Sequence, residues 1–316
     1  MKIILNSRQE DGLGDVMSTI MSTTGFINYL KNNHPEIKVE YYINDNYNLN
    51  QLSKILDIDY FNTITDKFEI LPQTNIIKHL GGYTIHENIR YERYYSVCNF
   101  HGVESNVPGK FDVFVLKEDI DKINKLNLPF ESFNWGCLSQ ADYYPIFKKE
   151  IVNEAENFVK NNFLNGFEVI RWRWTHCLSE CNAENQTNMF KAYINYLENK
   201  LDLSKTYFFS TNYRRFKDIV NKSKINVKFY WDLDSHSVDN TPVGPLLFDT
   251  DCSETIITLT EILIISMSDK IHYSACNMGC SLFNWVAVCA KKVPVETTYL
   301  HKKENGYIIN SENYNI

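Results

Sequence analysis

The chain has 316 residues, 44% of them hydrophobic, which is enough to bury the core of one large or two medium domains. Its formal net charge of −7 excludes nucleic acid as the main partner, because no basic field is available to neutralise phosphates, but it leaves room for a local cationic pocket for a small phosphorylated ligand. No apolar run approaches the roughly 20 residues of a membrane span, and residues 1–5 are too short for a signal peptide, so a soluble cytoplasmic protein is expected.

The chain contains eight cysteines, an even number that is compatible with disulfides. A long chain without a secretion signal nevertheless favours free thiols. Cys177 and Cys181 are four residues apart, as are Cys276 and Cys280, and neither pair has the spacing or the partner histidines of a zinc site. The sequence therefore predicts no metal and no bound cofactor.

The first 43 residues have the pattern of a strand–helix–strand unit. Residues 2–5 form a short apolar run typical of a buried strand, residues 16–30 repeat apolar side chains at helical spacing, and residues 38–43 are the next strand. This order predicts a parallel crossover. Gly12 and Gly14, at the turn, would let backbone N–H groups approach a ligand at the positive end of the helix, although a plain tight turn without a ligand fits the same residues equally well.

Apolar periodicity also predicts the remaining elements of the first half, with an aromatic stripe at Tyr91, Tyr94 and Tyr95 that is usual for a core or an interface. Helices are expected over residues 48–56, 87–100 and 118–126, and strands over residues 60–64, 68–71, 75–77 and 111–116. Residues 129–145 have no clear period and are interpreted as a connection.

The second half alternates strands and helices more regularly. Strands are expected over residues 167–172, 206–210, 227–230, 270–273 and 293–295, and helices over residues 151–163, 188–201, 214–221, 254–268 and 278–291. The alternation on both sides of residue 150 predicts an α/β protein with two Rossmann-like, doubly wound domains, residues 1–150 and 151–316. Ligands of open parallel sheets bind beyond the carboxyl ends of the strands, so a ligand is expected in a cleft between the two domains.

Three charged residues stand at positions where chemistry is expected. Asp15, at the start of the first helix, either complements the helix N-terminus or acts as a general base toward a hydroxyl nucleophile. Arg171 and Arg173 end a strand and share one of its faces, since side chains alternate along a strand. Two guanidinium groups there suit a diphosphate, which arginine binds in bidentate fashion, or a salt bridge between the domains.

Small polar residues follow two other strands. Ser210, Thr211 and Asn212 lie between a strand and a helix, where such residues cap the helix or line a phosphate or nucleoside pocket. Ser274, Asn277 and Ser281 lie between a strand and a predicted helix and either cap that helix or donate hydrogen bonds to phosphate.

Glu261, on the preceding helix, is either a solvated surface carboxylate or an acceptor for ribose hydroxyls. The motifs of P-loop, nicotinamide-binding, zincin and α/β-hydrolase proteins are absent from the sequence.

Several of these segments resemble metal-independent glycosyltransferases of the GT-B class. Residues 12–16 resemble the opening of the heptosyltransferases, in which the aspartate after the glycine is the proposed base, and are also similar to the first turn of the nodulation-type and α-1,2/α-1,6 fucosyltransferases. Arg171 matches the first arginine of the strand-end motif with which these fucosyltransferases hold the GDP diphosphate. Residues 206–216 and 259–285 are similar to their next strand and helix and to their closing helix, strand and serine-rich phosphate loop.

The resemblance implies an inverting glycosyltransferase whose substrates are a nucleotide-sugar donor, GDP-fucose first, and a glycan acceptor. Residues 151–316 would bind the nucleotide sugar, with Arg171, Arg173 and the loop 274–281 stabilising the leaving diphosphate. Residues 1–150 would form the acceptor side, where Asp15 deprotonates the acceptor hydroxyl. The alternatives are a heptosyltransferase-like enzyme with another nucleotide sugar, a non-catalytic sugar- or nucleotide-binding protein of the same shape, and a sugar epimerase.

Overall fold

A computed structural model describes residues 1–8, 13–45, 51–72, 83–97, 111–133, 145–172, 183–211, 214–230, 253–275, 293–303 and 306–314. The chain divides into two compact units. One comprises Met1–Ile151 with Leu247–Thr255, and the other comprises Val152–Leu246 with Ile256–Ile316. Among the described residues, no helix combines the length and the apolar character needed to cross a bilayer.

The first unit is built on a mixed sheet with the described strand order β3-β2-β1-β6-β5-β4. Its strands are β1 (Lys2–Arg8), β2 (Lys38–Asp45), β3 (Lys67–Pro72), β4 (Tyr83–His86), β5 (Ile89–Val97) and β6 (Phe111–Val115). Its helices are α1 (Leu13–Asn33), α2 (Gln51–Ile55), α3 (Ile58–Ile64) and α4 (Ile120–Lys125). β1, β2 and β3 run parallel, which confirms the predicted β1–α1–β2 crossover, whereas β6, β5 and β4 are joined by antiparallel pairing.

Helix α1 is fastened to the sheet by buried hydroxyl groups as well as by apolar packing. The Ser7 hydroxyl lies 3.1 Å from Thr23 Oγ1 on α1 and 2.9 Å from the hydroxyl of Tyr41 on β2. Farther along α1, Phe26 packs against Phe130 and Phe133 with ring centroids 5.2 and 5.4 Å apart. These contacts hold the middle of α1 against the first sheet.

Two predicted elements of the first unit have the wrong type. Residues 60–64 are not a strand but lie in helix α3, because the Asp57 side chain caps the helix by accepting a hydrogen bond of 3.0 Å from the Tyr60 amide. Residues 87–100 are not a helix. Glu87 and Asn88 have φ angles of 51° and 64°, which form a tight hairpin turn, and β5 then pairs with β4 and β6. The predicted strand at residues 75–77 lies outside the described residues.

The second unit is built on a sheet with the described strand order β12-β11-β10-β7-β8-β9. Its strands are β7 (Glu168–Trp172), β8 (Thr206–Thr211), β9 (Asn226–Lys228), β10 (Lys270–Ala275), β11 (Val295–Lys303) and β12 (Gly306–Tyr314). Its helices are α5 (Lys149–Asn162), α6 (Ala183–Lys200), α7 (Arg214–Asn221) and α8 (Ser253–Ser266). These bounds confirm the predicted order as far as β10, while the predicted helix over residues 278–291 falls outside the described residues.

The last predicted strand, residues 293–295, is misplaced. β11 begins at Val295 and continues to Lys303, and an additional strand, β12, pairs with it in antiparallel fashion from Val295–Tyr314 to Lys303–Gly306. The remaining strand pairs of this sheet are parallel. The sequence interpretation missed this hairpin because both strands are polar and lack the apolar alternation of a half-buried strand.

Alternate residues of β7 face two different helical layers. Trp172 packs against Phe190 and Tyr193 of α6, with ring centroids 5.0 and 5.3 Å away, in a core that also includes Phe216 of α7. On the other side of the sheet, Phe158 of α5 meets Phe208 of β8 with centroids 5.8 Å apart. Helices therefore cover both faces of the sheet, which is the doubly wound arrangement that the sequence predicts.

Replacement of Gly166 by alanine is expected to destabilise the second unit. Gly166 has a φ of +79°, and an added Cβ would overlap the Asp269 carboxylate. The left-handed backbone alone costs an L-residue about 1–2 kcal/mol. We therefore expect Gly166→Ala to lower the free energy of unfolding in urea by at least that amount. The control is Leu164→Ala, at a side chain that is 91% exposed, which should change it by less than about 0.5 kcal/mol. Equal stability of Gly166→Ala and the wild type would contradict the expectation.

Candidate functional site

The structure describes the side chains of four of the residues that the sequence singled out, namely Arg171, Thr211, Glu261 and Ser274. Gly14 and Asp15 are the second and third residues of α1, and only their backbone is described. The other predicted site residues lie outside the described residues: Gly12, Arg173, Asn212, Asn277 and Ser281.

The centre of the candidate site is a row of residues across the carboxyl ends of β10, β7 and β8. Arg171 is in register with Tyr273 on one neighbouring strand and with Ser210 on the other. Residues in register on parallel strands share a face of the sheet, so Arg171 and Ser210 point to the same side. This edge of the sheet is where ligands of open α/β folds bind.

Arg171 is held by the hydroxyl of Ser210. Its Nη1 donates a hydrogen bond of 2.5 Å to Ser210 Oγ. Arg171 is 4% exposed and Ser210 is completely buried. A guanidinium in this setting is largely shielded from water, which strengthens its attraction for any anion that reaches it.

Glu261 of α8 is the acidic neighbour of this pair. It is 5% exposed. Burial raises the pKa of the Glu261 carboxyl to about 7, although the nearby Arg171 guanidinium and the Ser210 hydroxyl both act to lower that pKa. Glu261 is therefore not the solvated surface glutamate that the sequence allowed. It is a buried acid that changes its charge near neutral pH.

The Ser210 hydroxyl connects the two charged groups. A hydroxyl has one proton to donate and two lone pairs to accept with. Because Arg171 can only donate, Ser210 accepts from Arg171. The same Ser210 hydroxyl acts to lower the pKa of the Glu261 carboxyl.

Two further titratable groups stand near Glu261. Tyr230 lies close enough to Glu261 and to Glu154 of α5 for both carboxylates to contribute, after burial, to a raised pKa of its phenol. The Tyr230 ring also packs edge-on against Phe158 of α5, with centroids 5.2 Å apart. The surroundings of Glu261 thus include a cation on the sheet side and a phenol on the side of α5.

Thr211 and Ser274 do not join this cluster. Thr211 is in register with Trp172, and Ser274 follows Tyr273, so strand alternation directs both toward the opposite face of the sheet from Arg171. Both are buried. Among the described residues, neither Ser274 Oγ nor Trp172 Nε1 has a hydrogen-bond partner. The structure therefore brings together Arg171 and Glu261, with Ser210 beside them, and leaves Thr211 and Ser274 on the other face.

A second buried charge cluster lies at the opposite, amino end of the same strands. His272 Nε2 is 2.6 Å from Glu168 Oε2, and its Nδ1 is 3.6 Å from Glu296 Oε2. Lys200 and Lys270 also pair with Glu296. Burial lowers the pKa of His272, although Glu168 acts to raise it. These groups neutralise one another, and we assign them to the stability of the sheet.

In the first unit, the sequence interpretation overlooked two polar residues near the carboxyl end of β1. Asn6 and Asp112 are completely buried and face each other across β1 and β6. Asp112 stands in an otherwise apolar strand, Phe-Asp-Val-Phe-Val, which is the signal that could have drawn attention to it. The Asp112 carboxyl group lies at the end of the first sheet where α1 begins, and Asp15 is the third residue of that helix. Within the described ranges, no three His, Cys, Asp or Glu residues are grouped so that they could hold a metal ion.

Comparison with solved structures identifies fucosyltransferases as similar in fold. The structure of NodZ α-1,6-fucosyltransferase soaked with GDP-fucose matches 99% of this chain over 99% of its own length, with a TM-score of 0.52 and 10% sequence identity. Fucosyltransferase NodZ from Bradyrhizobium matches the same shares of the two chains, with a TM-score of 0.51 and 9% identity. A mutant of Arabidopsis thaliana FUT1 in complex with GDP matches 96% of this chain and 73% of its own, with a TM-score of 0.50 and 12% identity.

No protein-family model and no curated protein sequence matches the chain. At these low identities the solved structures demonstrate a common fold. The chain has the two-sheet α/β fold of the GT-B fucosyltransferases, as its sequence predicts.

Replacement of Glu261 by glutamine is expected to remove a pH dependence of stability. The folded protein keeps the Glu261 proton up to about pH 7, whereas the unfolded chain loses it near the ordinary value of 4.5. Unfolding between these values releases a proton, so this group alone lowers stability by about 3 kcal/mol as the pH rises from 4.5 to 7. Urea unfolding across this range should show the variant gaining that amount relative to the wild type. The exposed control Glu156→Gln should follow the wild type, and parallel profiles for Glu261→Gln and the wild type would contradict the assignment.

Proposed function

We propose that the protein is a glycosyltransferase that moves a sugar from a nucleotide-sugar donor to a hydroxyl group of a glycan acceptor. The observation that carries the proposal is the buried Arg171 at the carboxyl edge of the second sheet, in a fold shared with fucosyltransferases. One of those neighbours was soaked with GDP-fucose, and another is in complex with GDP. GDP-fucose is accordingly the first donor to test, and another nucleotide sugar, as in a heptosyltransferase-like enzyme, is the second.

Arg171 would act on the leaving group. Breaking the bond between the sugar and the diphosphate leaves negative charge on the phosphate oxygens, and a fixed guanidinium in a dry site stabilises that charge as it develops. The Ser210 bond orients the guanidinium before the donor arrives, so little reorganisation is required. Removal of one such donor typically costs about 10²–10³ in rate. The predicted donors Arg173, Asn212, Asn277 and Ser281 would add to this anion site.

The first unit would supply the base. Asp15 is the third residue of α1, and in this proposal it takes the proton from the acceptor hydroxyl as that oxygen attacks the sugar. Gly12 and Gly14 would give the donor room to approach. A single displacement of this kind inverts the configuration of the sugar and needs no metal. We also propose that the transfer requires no metal ion and that the protein is cytoplasmic.

Nucleotide binding gives the first test, and Arg171→Lys is the informative substitution. Lysine keeps the charge but lacks the planar fork that binds phosphate oxygens in pairs. A specific nucleoside diphosphate at 100 times its Kd should stabilise the wild type by about 2.7 kcal/mol. We expect Arg171→Lys to lose most of this stabilisation, measured by thermal unfolding with GDP, ADP and UDP in turn. The exposed control Arg90→Lys should retain it. If Arg171→Lys also loses the nucleotide stabilisation in a protein that carries Glu261→Gln, an unpaired buried carboxylate is excluded as the cause of the loss.

An unchanged response of Arg171→Lys to the nucleotide that stabilises the wild type would remove Arg171 from the site. A wild type that responds to no nucleotide would contradict the proposal as a whole. A protein that binds a sugar nucleotide but neither transfers nor hydrolyses the sugar would be the non-catalytic binding protein.

Turnover gives the second test. We expect Asp15→Asn to bind GDP-fucose as the wild type does but to lose at least about 10²-fold in sugar transfer, because asparagine cannot accept the proton. The measurement is release of GDP with a panel of glycan acceptors, with and without EDTA. Full activity of Asp15→Asn would overturn the assignment, and loss of activity in Asp112→Asn with intact binding would move the base to Asp112.

A further inference from the structure

Three turns lie side by side at the amino end of the second sheet, opposite the edge that carries Arg171. They comprise residues 160–166 before β7, residues 199–205 before β8 and residues 221–225 before β9. Because β7, β8 and β9 are neighbouring parallel strands, the turns that lead into them meet at one end of the sheet. The exposed side chains of these three turns are called the amino-end surface below.

Polar contacts fasten the three turns to one another. Lys205 Nζ, in the turn before β8, lies 3.4 Å from Glu168 Oε1 at the beginning of β7. The backbone amide of Lys224, in the turn before β9, donates a hydrogen bond of 2.7 Å to Glu198 Oε1 near the end of α6. The turns therefore form one continuous surface with a fixed arrangement.

Two leucine side chains project from the amino-end surface into water. Leu164 is 91% exposed and Leu203 is 37% exposed. Among the described residues, five large apolar side chains are exposed, and these two occupy the turns before neighbouring strands. A single exposed apolar residue is ordinary. Two of them at one end of a sheet, surrounded by cations, are typical of a surface that inserts into lipid head groups.

The three turns are also locally cationic, although the chain as a whole has a net charge of −7. They contain five lysines and a single carboxylate, Asp202. Lys200 and Lys205 pair with glutamates of the sheet. The other three lysines are exposed and, within the part of the chain that the structure describes, form no ion pair: Lys160, Lys222 and Lys224. Their charge is available to an external anion.

We propose that the amino-end surface binds an anionic lipid membrane, with its two exposed leucines among the head groups and its three unpaired lysines against the lipid phosphates. The inference does not rest on the proposed function, because it uses none of the residues assigned to donor or acceptor. Arg171 lies at the opposite end of the same sheet, so contact with a membrane leaves that edge directed away from the lipid.

The composition of the surface favours lipid over a protein partner. Protein interfaces centre on aromatic and arginine side chains in well-packed pockets. The three turns contain no arginine and one aromatic residue, Phe163, which is buried. Lysine is a mobile point charge on a long apolar stem, which suits phosphates without fixed positions. The acidic remainder of the chain opposes this binding little, because charges more than about 10 Å away are screened at about 0.1 M salt.

The test is co-sedimentation of the full chain with vesicles of phosphatidylcholine, either alone or with about one third phosphatidylglycerol. We expect the wild type to pellet with the anionic vesicles and to stay in solution with the neutral ones, and about 0.5 M salt should release most of it. The triple variant Lys160→Gln, Lys222→Gln and Lys224→Gln should bind about 100-fold more weakly, since each lysine near an anionic surface contributes about fivefold.

Matched variants separate this surface from charge and exposure in general. Replacing three exposed lysines elsewhere by glutamine, at Lys125, Lys149 and Lys191, changes the net charge equally and should leave vesicle binding as in the wild type. Leu164→Ser should weaken binding at least severalfold, whereas Ile85→Ser, at a side chain that is 52% exposed, should not. Urea unfolding of each variant verifies that it folds as the wild type does.

A wild type that stays in solution with both kinds of vesicle would overturn this inference, as would an equal loss of binding in the control triple variant. Full binding of Leu164→Ser would overturn the insertion of leucine and reduce the surface to a general binder of polyanions. A wild type that sediments as a dimer, with a monomeric triple variant, would assign the surface to contact between copies of this chain instead. Each of these outcomes leaves the proposed function intact, because nucleotide binding is measured without lipid.

Discussion

The hydrogen bond between Arg171 and Ser210 determines how the carboxyl edge of the second sheet is organised. It joins neighbouring parallel strands at the point where both end and fixes the guanidinium in a dry environment. Glu261 on α8 lies near this pair, and a buried carboxyl group needs a hydrogen-bond partner close by.

Successive side chains of strand β7 point to opposite faces of the sheet, so a candidate site residue and a core residue are neighbours in the sequence. Arg171 is directed toward the layer that contains Glu261, whereas Trp172, the next residue, is completely enclosed by the aromatic core against α6. The rigidity of that core restricts the end of β7, and a restricted strand end is what an anion-binding guanidinium requires. Thr211 is buried on the Trp172 side, so a polar residue type at a strand end is not sufficient to make it part of a site.

Each sheet has a lysine–glutamate ion pair near the amino ends of two parallel strands. In the first unit Lys2 lies 2.7 Å from Glu40 near the beginning of β1 and β2, and in the second unit Lys270 lies 2.7 Å from Glu296 near the beginning of β10 and β11. These clusters contain opposite charges in direct contact, which is a stable arrangement that leaves little for a ligand to neutralise. At the carboxyl end of β7, Arg171 hydrogen-bonds with Ser210, and burial raises the pKa of the nearby Glu261 carboxyl to about 7.

The sequence by itself determined most of the individual helices and strands, and it identified Arg171 at the end of β7 as a candidate site residue. Periods of 3.6 and 2 residues are local properties, so α1, β7, β8 and α8 were predicted close to their observed bounds, and Arg171 was singled out as the residue that ends a strand. Where local signals conflict, tertiary pairing decided the outcome. The aromatic segment at β5 became a strand because β4 and β6 pair with it. The hairpin of β11 and β12 lacks the apolar alternation of a half-buried strand, and the sequence predicted only its beginning.

The composition of the candidate site was decided only by the tertiary structure. Arg171 and Ser210 are 39 residues apart, and their contact follows from the register between two parallel strands, which depends on the packing of the whole sheet. Glu261 approaches from a helix still farther along the chain, and its charge state follows from burial, which no local pattern encodes. A sequence names the groups that can carry charge, whereas only the folded chain decides which of them share a hydrogen bond and lie out of contact with water.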